Sequence, residues 1–135
     1  MSETTPLLAG AARGEALVLD EPLSLWGGMD PATGRITDRR HPQAGEDASG
    51  RVLVMPAGRG SSSSSSVLAE AIRAGTAPAA LLLSEPDEIV LLGALVAEEL
   101  YRVTCPVVVL PDALYRSIHT GDPVTVTAEG TVRVG

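Results

Sequence analysis

Aromatic residues are nearly missing from this chain. Phenylalanine is absent, and one Trp and two Tyr bring the aromatic share to 2%. Stacking platforms for bases or sugars are therefore scarce, and a core has to be built from Val, Leu, Ile and Ala. Cysteine is almost missing too. Cys105 stands alone, which excludes an internal disulfide and an iron–sulfur cluster held by this chain, since such clusters need several thiolates. His41 and His119 are too few for a zinc site unless carboxylates complete it. Basic residues are outnumbered, with 10 Lys and Arg against 17 Asp and Glu and a formal charge of −7. Without a basic patch there is nothing to neutralise phosphates, which argues against nucleic acid as a partner. No apolar run is long enough to span a bilayer. The stretch Met1 to Pro6 is not basic and leads into no long apolar run, which argues against a signal peptide and for the cytoplasm.

What is present suits one acidic α/β domain. The chain has 135 residues, 44% of them hydrophobic and 20% charged, enough for about one core. It is organised around Gly58-Arg59-Gly60-Ser61 and the serines that follow to Ser66. An apolar run, Val52 to Pro56, comes before; a helical run, Val67 to Ala74, comes after. Strand, glycine turn and helix in that order aim backbone N–H groups and the positive end of a helix dipole at one spot. Ser61 falls where an N-cap is expected, and Ser64 and Ser65, farther into the helix, are expected to matter less. A serine run can also be a flexible linker, but a chain of one domain has no second core to link. Six serines at a helix start are more than capping requires, because serine is only moderately helix-forming.

In chain order, residues 1–13 read as a loose tail and residues 14–135 as the domain. Glu15 to Leu19 and Pro22 to Trp26 read as strands, and Arg35 to Thr37 as a short return strand. The polar stretch 38–50 holds His41, read either as a loop histidine bonded to backbone or as a site residue. Arg39 and Arg40 could meet a substrate carboxylate, or simply face solvent. A strand at 51–55 feeds the turn and a helix ending near Gly75. Ala79 to Leu83 is a buried strand, and Ser84-Glu85-Pro86-Asp87 is a helix-start signal at capping-box spacing. The helix that follows runs to about Leu100 and is apolar almost all round, so it is buried all round, against either another polypeptide or the chain's own antiparallel strands. Pro106 to Leu110 is a third buried strand. Residues 111–118 suggest a short helix, and Val124 to Val126 and Thr131 to Val134 pair through Glu129-Gly130 as a hairpin. Alternating strands and helices imply parallel pairing, with a crevice at the strands' carboxyl ends where Ser61 sits.

Gly58-Arg59-Gly60-Ser61 with its serine run, Val67-Leu68, Gly75 to Pro78, Gly93-Ala94 and Pro106 to Val108 together resemble the aconitase X swivel domain. Trp26-Gly27-Gly28 and the Asp38…His41-Pro42…Gly45 stretch fit the same pattern, so the resemblance covers roughly residues 14–134. It implies a three-layer β/β/α swivelling domain with a central parallel sheet and a second antiparallel sheet. It also implies the small subunit of a two-chain dehydratase that removes water from a hydroxy acid. Ser61 would be the proton-abstracting base, and Arg59, Gly60, Ser62, Ser63 and His41 would bind substrate. A larger, cysteine-bearing chain would carry an iron or iron–sulfur centre, and this chain would hold none. The mevalonate-type pattern has Thr-Val-Gly after the key serine; Ser62-Ser63-Ser64 here favours cis-3-hydroxy-L-proline over phosphorylated mevalonate. The alternative from another class is a non-catalytic anion-binding or docking module built on the same turn.

Overall fold

Strand polarity divides the molecule into layers. The computed structural model describes residues 3–58 and 62–135. Its elements are β1 (Thr5–Leu8), β2 (Ala12–Val18), α1 (Leu25–Gly28), β3 (Val52–Met55), α2 (Ser64–Ala74), β4 (Ala80–Leu83), α3 (Glu88–Tyr101), β5 (Val107–Val109), α4 (Asp112–Ser117), β6 (Pro123–Val126) and β7 (Val132–Val134). Among the described residues the strands follow the order β1-β5-β4-β3-β2-β6-β7. The pairs β2·β3, β3·β4 and β4·β5 are parallel, as the helical crossovers require. β2 belongs to two ladders. Ala16 to Val18 pair with β3, whereas Ala12 to Glu15 pair antiparallel with β6. The sheet therefore curls at β2 and brings the β6–β7 hairpin across its own face.

Side-chain alternation builds the two cores. Leu53, Met55, Leu81, Leu83 and Val107 point to one side and pack with Leu68, Ile72, Val90 and Ala94 of the helices. Val52, Val54, Ala80, Leu82 and Val108 point to the other side and meet Val124, Val126, Val132 and Ile118. Helices, parallel sheet and curled antiparallel strands make the expected β/β/α sandwich. Its central strands are apolar throughout because both faces are covered.

Several local expectations are corrected. The tail read at 1–13 is structured over much of its length. β1 pairs antiparallel with β5, from Thr5 opposite Val109 to Leu8 opposite Val107, and β2 starts at Ala12. Without β1, β5 would present an unpaired edge; Pro6 sits on the outermost strand, where its missing N–H costs no ladder bond. The strand read at 22–26 reduces to one bridge, Leu23 to Gly58, followed by the α1 turn, which breaks at Trp26 and Gly27. The return at 35–37 survives as the isolated bridges Met29 to Ile36 and Arg35 to Asp47.

The N-cap of α2 is Ser63 instead of Ser61, and that of α3 is Asp87 instead of Ser84. Pro86 then lies outside α3, where it disfavours helical backbone in the residue before it. α2 ends as expected at Gly75, whose φ of 79° places it in the left-handed region while its N–H bonds Ala71 and Ile72 carbonyls. Neither core encloses α3 completely. Val90, Gly93, Ala94 and Ala97 are buried, but Leu92, Leu95, Val96 and Leu100 are exposed, Leu100 to 64%. The β6–β7 hairpin covers the opposite face of the sheet, and β1, though it meets α3 with Leu7 and Leu8 against the helix-side core, leaves this apolar strip open. Among the described residues no helix is long and apolar enough to cross a membrane.

Candidate active site

The parallel strands β3 and β4 end side by side at Met55 and Leu83, and their following loops are bonded together. Pro56 O accepts from Ser84 N at 3.1 Å, Glu85 N at 3.2 Å and Ser84 Oγ at 3.2 Å. Gly58 N–H then donates to Asp87 Oδ2 at 2.7 Å, while Asp87 Oδ1 accepts from Ile89 N at 2.9 Å and Val90 N at 3.1 Å. One half-buried carboxylate thus caps α3 and anchors Gly58. Glycine leaves the carboxylate its place: a Cβ on residue 58 would lie 2.7 Å from Asp87 Oδ2 and 3.2 Å from Val90 Cγ2, and the carboxylate would have to move.

Ser61, Arg59 and Gly60 lie outside the described residues. Ser62 and Ser63 are exposed at the entrance to α2, and Ser65 bonds back to Ser62 O through both its N–H at 3.2 Å and its Oγ at 2.8 Å. The eleven residues of α2 direct a positive dipole end toward this stretch. Helix α3 fixes the height of that end. Gly93 passes so close to α2 that a Cβ there would stand 2.7 Å from Ser65 O and 3.1 Å from Leu68 Cβ.

Ser64 is more constrained than the sequence reading allowed. It is buried, and its Oγ accepts from Trp26 N–H at 3.2 Å. This bond ties the start of α2 to the segment running from the Leu23–Gly58 bridge through Trp26. Gly27, at a φ of 77°, turns that segment back, and Thr37 N–H closes it on Gly28 O at 2.8 Å. The indole of Trp26 is left 59% exposed beside the start of α2.

His41 is buried, and both of its ring nitrogens are bonded to backbone. Gln43 N–H donates to Nδ1 at 3.0 Å, so the ring hydrogen sits on Nε2, which donates to Glu21 O at 3.0 Å. Gln43 holds Asp20 through its own amide, at 3.0 Å to the backbone N–H and 2.8 Å to the carboxylate. His41 therefore secures the segment leading into Leu23 and Trp26, and both of its nitrogens are taken up by backbone. Arg39 and Arg40 are exposed on the adjoining turn.

The residues present do not fit an iron or iron–sulfur centre. Among the described residues no three His, Cys, Asp or Glu gather where a metal ion could be held. Cys105 precedes β5, at the opposite end of the parallel strands from the crevice. Burial pushes its thiol up to about 12, and it packs against Pro78 O at 3.5 Å. No chemical step is assigned to a metal on this chain.

Two groups that sequence reasoning did not single out for the site are thus part of it. Ser64 had a usable signal, since stepping back from Ile72 and Leu68 by helical periods lands on it. Asp87 was read only as part of a helix start, and its bond to Gly58, 29 residues away, has no sequence signature.

The layers and the bonded strand-end loops define a three-layer β/β/α domain. The aconitase X swivel domain model matches residues 2–134, and the chain belongs to that family. It is 53% identical over 104 residues to the cis-3-hydroxy-L-proline dehydratase of Pseudomonas aeruginosa, covering 77% of this chain and 18% of that protein. It is 39% identical over 121 residues to the phosphomevalonate dehydratase small subunit of Methanopyrus kandleri, covering 89% and 85% of the two chains. The crystal structure of Thermococcus kodakaraensis aconitase X in its holo form superposes with a TM-score of 0.88 at 32% identity, over 99% of this chain and 97% of that one. The chain spans about a fifth of the length of the hydroxyproline dehydratases it matches, 18% in each of two cases.

Proposed function

We propose that this chain is the swivel subunit of a hydro-lyase that dehydrates a small hydroxy acid, with cis-3-hydroxy-L-proline as substrate. The carrying observation is the 53% identity to a cis-3-hydroxy-L-proline dehydratase, against 39% to the phosphomevalonate dehydratase small subunit. Phosphomevalonate is the second reading, favoured by the coverage of 85% of the Methanopyrus small subunit.

In such a dehydration a C–H bond and the C–O bond on the neighbouring carbon break. A double bond forms, the base takes the proton, the hydroxyl leaves as hydroxide, and the same proton passed on to it completes the water. Ser61 is the proposed base. A serine alkoxide is too unstable near pH 7 unless positive potential supports it, and the N-terminal end of α2 together with Arg59 would supply that potential. Arg59, Gly60, Ser62 and Ser63 would bind the substrate, and His41 would hold the Asp20 to Leu23 segment, which bridges to Gly58.

The partner is a larger, cysteine-bearing chain, and the iron or iron–sulfur centre belongs to it. Support comes from α3, whose exposed Leu92, Leu95, Val96 and Leu100 make an apolar strip that a domain on its own rarely leaves open. The test is turnover by the co-expressed pair on both substrates, with Ser61→Ala as the variant. Loss of a positioned base costs about 10²–10⁴-fold in rate, so kcat should collapse while circular dichroism and assembly persist. Near-normal kcat in Ser61→Ala refutes the assignment of the base. If no serine from Ser61 to Ser66 affects turnover, the anion-docking reading of the turn replaces the catalytic one.

A further inference from the structure

Capping α3 needs one oxygen of Asp87, and the carboxylate uses both. Oδ1 takes the Ile89 and Val90 N–H groups, and Oδ2 takes Gly58 N–H at 2.7 Å, the shortest of the three bonds. The contact is matched from the other side, because only a residue without a Cβ leaves Oδ2 its place. Gly58 also carries the bridge to Leu23, so whatever fixes Gly58 fixes the Trp26 segment as well.

We propose that Asp87 is a positioning residue for the reaction. It locks Gly58, from which the chain leads on to the proposed base, to the first turn of α3. This rests on the dehydratase reading above, and it assigns the carboxylate no contact with substrate.

Asp87→Asn separates the cap from the anchor. Asparagine is as good an N-cap as aspartate, so its Oδ1 keeps the Ile89 and Val90 bonds. Its amide NH2 then faces Gly58 N–H, donor against donor, and the anchor is lost. Flipping the amide would restore Gly58 but sacrifice both cap bonds. A displacement of about 1 Å at a reacting group can cost about 10²-fold. In the assembled pair, kcat should therefore fall about 10–100-fold with KM little changed. Hydrogen exchange at the Gly58 amide, followed by NMR in the isolated chain, should accelerate at least about tenfold because its acceptor is gone.

Wild-type kcat in Asp87→Asn overturns the proposal, and so does a lost kcat with unchanged Gly58 exchange. Should Asp87→Asn fail to fold, Gly58→Ala disturbs the same contact from the glycine side, and full kcat in that variant also overturns it. If the wild-type pair dehydrates neither substrate, the dehydratase reading fails instead. The Gly58 exchange then decides the anchor by itself, and an unchanged rate rejects it.

Discussion

Replacing Gly93 by alanine pits two effects of known size against each other. Glycine within a helix is less favourable than alanine by about 0.8–1.0 kcal/mol, so on propensity alone Gly93→Ala should stabilise α3. The structure predicts the opposite. The new Cβ would lie 2.7 Å from Ser65 O, 3.1 Å from Ser65 Cα and 3.1 Å from Leu68 Cβ. Two of these neighbours are backbone atoms of α2, and they move only if the helices part. Overpacking of this kind costs about 1–3 kcal/mol. The larger part of that range exceeds the propensity gain, which leaves a net loss of about 1 kcal/mol. For a chain of this size the loss corresponds to roughly 4 °C in Tm. The displaced group is the first turn of α2, so kcat of the assembled pair should fall as well. Thermal unfolding followed by circular dichroism measures the first effect and steady-state turnover the second. A Tm equal to or above wild type would show that the helices do not meet at Gly93 as described, and that part of the reasoning would fall.

Two further predictions concern buried groups. Ser64→Ala removes the acceptor of Trp26 N–H and should cost about 1 kcal/mol; because Trp26 is the sole tryptophan, its fluorescence anisotropy should drop as the segment loosens, whereas Ser66→Ala, which is exposed, should change neither. Unchanged anisotropy in Ser64→Ala would count against the bond. Burial raises the Cys105 thiol from its ordinary 9.0 to about 12, so between those values the unfolded chain ionises and the folded one does not. Stability should be intact below pH 9 and fall by about 1.4 kcal/mol per pH unit above it until about pH 12. Cys105→Ala should flatten that slope in urea titrations at pH 8 to 11, and a slope equal to wild type would refute the cause assigned.

Much of this protein could be read from local pattern. The runs Val52 to Met55, Ala80 to Leu83 and Val107 to Val109 are too short and too apolar to be anything but strands covered on both faces, and helices separate them. That alone sets parallel pairing and makes the glycine–serine stretch follow the carboxyl end of a parallel strand. The helix stop at Gly75 was equally legible, because a left-handed residue there suits glycine. Other features belong to pairs distant in sequence, and local pattern is silent on them. Thr5 to Leu8 look like a loose tail until β5 offers an edge to cover. Ser64 looks like one serine among six until packing buries it against Trp26. Asp87 looks like an ordinary helix cap until Gly58, 29 residues away, arrives at its second oxygen. Whether α3's apolar surface was enclosed depended on which side of the sheet the β6–β7 hairpin took. The switch of β2 from one ladder to the other sends that hairpin to the far side, so the strip from Leu92 to Leu100 stays open. Propensity and periodicity act over a few residues and set the three central strands and the two long helices. Partner choice among distant groups depends on how the whole chain closes, and only the tertiary structure decided it.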